Sequence, residues 1–151
     1  MRSLASCVGT AHAAIVAAVL AVGFLFASSA ANSAIKDAVG IELNKLSDAG
    51  GGCQAYFLFD NQGTDGYGKL KIDLVVLNSD AVFERWFVLN AAPLEAKKRT
   101  MKMYEFSQLS CDEIGSFLIN GVVECQQGKR SKKDCGKRLV PSSRVDVELM
   151  K

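Results

Sequence analysis

The chain has 151 residues, a length that suits one globular domain and is too short for two of common size. Its 18 basic and 16 acidic residues nearly balance, which excludes the strongly cationic surface of a general nucleic-acid-binding protein.

The first 31 residues have the pattern of an export signal. Arg2 precedes an uncharged apolar run over residues 13–26. This length suits a signal-peptide core better than the roughly 20 residues of a membrane-spanning helix. Small residues follow, and they predict a mature chain that begins near Ala31 or Asn32. We expect a signal peptide over 1–31, a linker over 32–40 and a domain over 41–151 that is periplasmic or secreted, with only transient membrane contact; an uncleaved anchor is the alternative.

The predicted domain over 41–151 has the pattern of a series of short strands. Alternating apolar residues, with β-branched and aromatic side chains, are separated by Gly, Asn, Asp and Pro. In the second strand, for example, Cys53, Ala55, Phe57 and Phe59 share one face. The predicted strands lie near 41–46, 53–60, 69–77, 81–90, 99–106, 116–125 and 144–149, with a short helical turn near 107–115. Seven antiparallel-type strands predict an all-β, two-sheet sandwich of the immunoglobulin or fibronectin kind.

Two resemblances accompany this pattern. Residues 56–106 include FLFDNQGTDGYGKLKIDLVVLNSDAVFERW and APLEAKKRTMKMYEF, and they resemble Ig-like domains of exported bacterial proteins. The mature chain, with LSCDEIG at 109–115 and VPSSRVDV at 140–147, resembles small exported alphaproteobacterial proteins that are often described only by a twin-arginine (Tat) signal sequence. This chain lacks the paired arginines of such a signal. The resemblance implies export and brings no known activity.

The cysteines predict two disulfides. Cys7 would leave with the signal, and the four that remain are Cys53, Cys111, Cys125 and Cys135. In an oxidising compartment an even set favours disulfides, for which three connectivities exist. In an up-and-down series of strands, Cys53 and Cys111 fall at one end of the sandwich, whereas Cys125 and Cys135 fall at the other. We therefore predict the pairs Cys53–Cys111 and Cys125–Cys135.

Common catalytic motifs are missing or incomplete. The only histidine, His12, lies in the predicted signal, which excludes Ser-His-Asp and Cys-His nucleophiles. The four cysteines contain no close CxxC pair of the kind that binds zinc. Gly63, Gly68 and Lys69 match GxxxxGK, but Leu70 stands where a phosphate-binding loop needs Ser or Thr, and a strand pattern follows instead of a helix.

The acidic residues match neither a calcium-binding loop nor a clear catalytic carboxylate pair. Asp60, Asn61 and Asp65 suggest calcium, yet Ile72 occupies the place of the closing glutamate of an EF-hand loop. The neighbouring acids at 112–113 could serve acid–base hydrolysis, but such pairs in a polar connection are usually solvated or capping groups. We therefore expect no metal, no cofactor and no catalytic residue.

One asymmetry in the charge distribution suggests a binding surface. The connections after the predicted fourth and sixth strands fall at the same end of the sandwich, and loops at such an end commonly bind partners. Their cations are Lys97, Lys98, Arg99, Lys129, Arg130, Lys132, Lys133, Lys137 and Arg138.

These observations predict a non-catalytic periplasmic binding or assembly module. Its basic end would contact an unknown envelope protein or an anionic surface. We expect no nucleic-acid partner, because the cations are not interleaved with aromatic residues that stack on bases. The alternatives are a structural envelope protein without a discrete ligand and an enzyme of unrecognised type.

Overall fold

The computed structural model describes residues 35–131 and 133–151. The predicted signal peptide, the start of the predicted linker and Lys132 therefore lie outside the described residues. The described chain is an all-β sandwich with two single 3₁₀ turns, Cys111–Glu113 and Cys135–Arg138. The strands are β1 (Val39–Ala49), β2 (Gly52–Asn61), β3 (Tyr67–Leu77), β4 (Phe83–Asn90), β5 (Lys98–Ser107), β6 (Ser116–Gln127), β7 (Arg130–Ser131), β8 (Leu139–Ser143) and β9 (Glu148–Met150). This confirms the predicted all-β, two-sheet architecture, although the strands number nine instead of seven.

The strands form two sheets. Sheet A has the order β5-β2-β1-β8, and sheet B has the order β4-β3-β6-β7, with β9 beside the start of β6. Hairpins join β1 to β2 and β3 to β4, whereas the chain changes sheets between β2 and β3, between β4 and β5, and between β5 and β6. Two pairings are parallel, β1 with β8 and β6 with β9. The expectation of antiparallel-type strands throughout was therefore wrong at the C-terminal end.

The core lies between the two sheets and follows the predicted alternation. Cys53, Ala55, Phe57 and Phe59 of β2 are all fully buried. The ring of Phe57 packs edge-on against Phe117 of sheet B, with the ring centres 5.8 Å apart. Period-two burial of apolar side chains is the main stabilising contact between two sheets.

The predicted seventh strand, 144–149, is mostly wrong. Residues 144–147 form a bend, and only Glu148–Met150 pair as a strand. The hydroxyl of Ser143 donates to the Val147 carbonyl at 2.7 Å, which holds the bend. Val145 and Val147 still pack against the core, so their apolar alternation arises without strand pairing.

The two disulfides have the predicted pairing. Cys53 is bonded to Cys111 at one end of the sandwich, and Cys125 is bonded to Cys135 at the other. They close loops with sequence separations of 58 and 10. Each bridge therefore ties a connection to the strand beside it.

The exposed edges β4 and β5 lie on the same side of the sandwich and are joined by side chains. The Arg85 guanidinium donates to the Ser107 carbonyl at 2.9 Å, and the Tyr104 hydroxyl donates to the Asn90 carbonyl at 3.0 Å. Lys102 Nζ donates to the Ala92 carbonyl, and partial burial lowers the pKa of its ammonium. Inward-facing cations of this kind protect sheet edges from further pairing.

No helix among residues 35–131 and 133–151 has the length and apolar character that crossing a bilayer would require.

Candidate functional site

Three connections meet at one end of the sandwich. The Lys97 amide donates to the Gly63 carbonyl at 3.2 Å, and the Gly128 amide donates to the Gly66 carbonyl at 2.9 Å. The connection before β5 and the connection after β6 therefore flank the β2–β3 loop. We call this surface the basic end; its described cations are Lys97, Lys98, Arg99, Lys129, Arg130, Lys133, Lys137 and Arg138.

Half of these cations bond to groups of the same chain. The contacts are Lys97 Nζ to the Gln62 carbonyl at 2.6 Å, Lys98 Nζ to Glu95 at 2.8 Å, Arg99 Nε to Asp60 at 3.3 Å, and Arg138 Nη1 to Gln127 Oε1 at 3.0 Å. Their charge is therefore partly neutralised or committed to holding the loops.

The other described cations of the basic end make no ion pair or side-chain hydrogen bond within residues 35–131 and 133–151. All of them are exposed. We call them the free cluster: Lys129, Arg130, Lys133 and Lys137. The division into engaged and free cations became visible only in the structure.

Asn61 connects two of the loops at the basic end. Its fully buried side chain donates to the Asp65 carbonyl at 3.0 Å and to the Glu95 carbonyl at 2.9 Å, and it accepts from the Gly63 amide at 3.0 Å. These three bonds use the amide to fix two loops. The Asn61 side chain therefore serves the main chain, and the Asp60 carboxylate pairs with Arg99. The described residues contain no group of three or more His, Cys, Asp or Glu that could hold a metal.

The glycine-rich stretch before β3 has no phosphate-binding geometry. Residues 67–77 form a strand directly after it, so no helix N-terminus points at a phosphate. Lys69 lies in that strand and pairs with Glu124 at 2.7 Å, and Lys71 pairs with the same carboxylate at 2.9 Å. Hydrogen bonds from the two lysines lower the pKa of Glu124 to about 2.

Acidic residues at the opposite end act as caps. The Glu113 carboxylate accepts from the Ser110 amide at 2.7 Å and from the Ser110 hydroxyl at 2.6 Å. These bonds lower the pKa of Glu113. Asp48 accepts from the Cys111 amide at 3.3 Å. Glu113 thus caps the turn beside the Cys53–Cys111 disulfide, and Asp48 stabilises the same turn.

A surface on β4 was missed by the sequence reasoning. Trp86 lies on the outer face of sheet B with 64% of its surface exposed. Its ring meets Phe83 edge-on, with the ring centres 5.0 Å apart. Val82 and Val88 beside them are each 57% exposed. The signal in the sequence was a segment, 82–89, in which apolar residues fall on both faces instead of one.

The outer face of sheet A carries a shallow depression of about 390 Å³. Leu58 and Val140 form part of its floor, and two ion pairs stand at its rim. One of them joins Arg144 Nε to Glu42 at 2.8 Å. Hydrogen bonds from Asn44 and Arg144 lower the pKa of Glu42. The charged groups at the rim already satisfy one another.

The chain matches no protein-family model and no curated relative. Among solved structures it is similar to one titled as the structural characterization of IrmA from Escherichia coli, with a TM-score of 0.51 and 12% sequence identity. The match covers 69% of this chain and 90% of that chain. At this identity, the similarity concerns the fold alone.

Proposed function

We propose that this chain is a non-catalytic, extracytoplasmic binding module whose basic end contacts an anionic partner. The observation that supports this proposal is the free cluster, in which Lys129, Arg130, Lys133 and Lys137 are exposed without an ion pair to any described residue. Cations without intramolecular counter-charges are available to an anionic protein face, phospholipid or envelope polymer.

The loop that carries the free cluster is held in place from both sides. The Cys125–Cys135 disulfide closes it, and Arg138 bonds to Gln127 at 3.0 Å. A constrained loop loses less conformational entropy when it binds, which favours a recognition role.

An extracytoplasmic location forms part of the proposal. Two disulfides are consistent with an oxidising compartment. The apolar N-terminal run supports export by a cleavable signal, and the LSCDEIG and VPSSRVDV segments support kinship with small exported alphaproteobacterial proteins.

A structural envelope protein that assembles without a discrete ligand is the second candidate. The exposed aromatic surface of β4, with Phe83 and Trp86, favours this role because clustered exposed apolar side chains mark contact surfaces.

The free cluster can be tested against cations of the same end that are already paired. The test variant is Lys129→Gln with Arg130→Gln. The matched control, Lys98→Gln with Arg99→Gln, removes the same charge from residues bonded to Glu95 and Asp60. If each free cation contributes about 1 kcal/mol at an anionic surface, the test variant binds anionic vesicles or a captured envelope partner about 30-fold more weakly.

The control variant should lose much less affinity, because its cations are already neutralised within the chain. Binding should also weaken as salt is raised. Equal losses in the two variants, or unchanged capture from an envelope extract and unchanged vesicle binding in the test variant, would refute the proposal.

A further inference from the structure

The outer edge of sheet B has open main-chain groups in the middle of β4. No described strand lies beyond β4 in this sheet. The Ala91 amide donates to the Leu70 carbonyl at 2.8 Å, which sets the phase of the antiparallel ladder. Since hydrogen bonding alternates along such a ladder, Phe87 and Leu89 bond to β3, whereas the amides and carbonyls of Trp86 and Val88 point to the open side.

The same two residues carry much of the exposed apolar surface. Trp86 and Val88 point outward from sheet B and are 64% and 57% exposed. The preceding turn is rigid, because Asn78 Oδ1 accepts from the amides of Asp80 at 3.0 Å and Val82 at 2.9 Å. An edge that is both apolar and pre-organised is suited to adding a strand.

The geometry points to a second copy of this chain as the occupant, bound through antiparallel pairing of β4 with β4 about a two-fold axis. In the register that we infer, Trp86 stands opposite Val88 of the second copy, and Val88 opposite its Trp86. Both residues have open main-chain groups, so this register forms four main-chain hydrogen bonds. It places Phe87 on the two-fold axis, facing Phe87 of the second copy.

Polar groups in this register are complementary. Glu84 stands opposite Asn90 of the second copy, whose amide can donate to a carboxylate. Favourable pairs directly across strands stabilise antiparallel pairing, and no like charges face one another here.

The other edge on this side of the sandwich is less suited to self-pairing. In β5, pairing Met101 with Met103 of a second copy would place Lys102 directly opposite Lys102 of that copy. Like charges directly opposite one another destabilise a pair of strands. The contrast between Phe87 at the centre of β4 and Lys102 at the centre of β5 selects β4 as the contact strand.

The test measures the mass of the oxidised protein, expressed with its own residues 1–34, by sedimentation over a range of concentrations. We expect the apparent mass to double as the concentration rises. Val88→Pro removes an amide that the β3 ladder does not use, so the monomer should fold and remain monomeric at all concentrations. Val88→Lys keeps the amide and should also weaken dimerisation. It replaces the proline variant in the test if that variant fails to fold.

Val123→Lys is the matched control, because this valine is 62% exposed on β6, away from the β4 edge. The control should dimerise like the unmodified protein. In a mixture, Trp86→Cys and Val88→Cys chains should form more disulfide-linked heterodimers than either forms homodimers, since only the mixed pair stands directly opposite in this register.

A monomer at all concentrations would overturn the inference, as would a dimer that persists in both Val88 variants or that Val123→Lys dissociates. Equal homotypic and heterotypic cross-linking would overturn the register. The basic end takes no part in this contact, so these outcomes are independent of binding to an anionic partner.

Discussion

Replacing Cys53 and Cys111 together by alanine removes the bridge that closes the longer of the two disulfide loops. The bridge spans a sequence separation of 58, against 10 for Cys125 and Cys135. In the chain-entropy description, the longer loop contributes about 4.2 kcal/mol to the free energy of unfolding and the shorter about 2.7 kcal/mol. The two double variants should therefore differ by about 1.5 kcal/mol, roughly a tenfold difference in the unfolding equilibrium.

The measurement is urea unfolding followed by far-ultraviolet circular dichroism. This signal is preferable to tryptophan fluorescence, because Trp86 is already 64% exposed in the folded state. The Cys125→Ala and Cys135→Ala double variant is the control, since it also removes one bridge and two sulfur atoms. Equal losses in the two variants, or a larger loss from the shorter loop, would refute the reasoning from loop length.

Three further predictions concern the fold and its surface. Gly115→Ala should lower the free energy of unfolding by about 1–3 kcal/mol because its Cβ would collide with the Asn78 carbonyl, whereas Gly121→Ala, with nothing within 4 Å of the new Cβ, should leave urea stability nearly unchanged. Because the pKa of Glu124 is lowered from 4.5 to about 2, its ionised form stabilises the fold above pH 4.5, and this stability is lost as the pH falls toward about 2. The thermal midpoint should therefore fall less over this pH range in Glu124→Gln than in the unmodified protein. Equal falls would contradict the prediction. Lys102→Met removes an inward-facing charge from the β5 edge and should increase light scattering at high concentration, so unchanged scattering would argue against edge protection by this lysine.

The central strands could be predicted because their pattern and their environment agree. In β2 and β3, one face meets the core and the other meets water, so apolar residues alternate along the chain. The C-terminal strands were harder. Pro141 lies within β8, where a strand breaker is tolerated because β8 is an edge strand. Val145 and Val147 show strand-like alternation, yet they lie in a bend that packs against the core.

The candidate site was predictable in part for a related reason. Counting connections along an up-and-down chain was sufficient to pair the cysteines. The count could not separate Lys98, which pairs with Glu95, from Lys129, which has no ion pair among the described residues. Nor could it show that Trp86 faces solvent, because β4 carries apolar residues on both faces and its neighbours decide which face is covered.

The amino-acid sequence by itself determined the all-β class, the inward faces of the central strands and the pairing of the four cysteines in the domain, because each depends on local periodicity and on the order of elements along the chain. Only the tertiary structure decided which strands form open edges, which cations have partners and which apolar residues meet water. These properties depend on contacts between residues distant in sequence, such as the pairing of β1 with β8 and the bond from Arg85 to the Ser107 carbonyl. No local pattern encodes them.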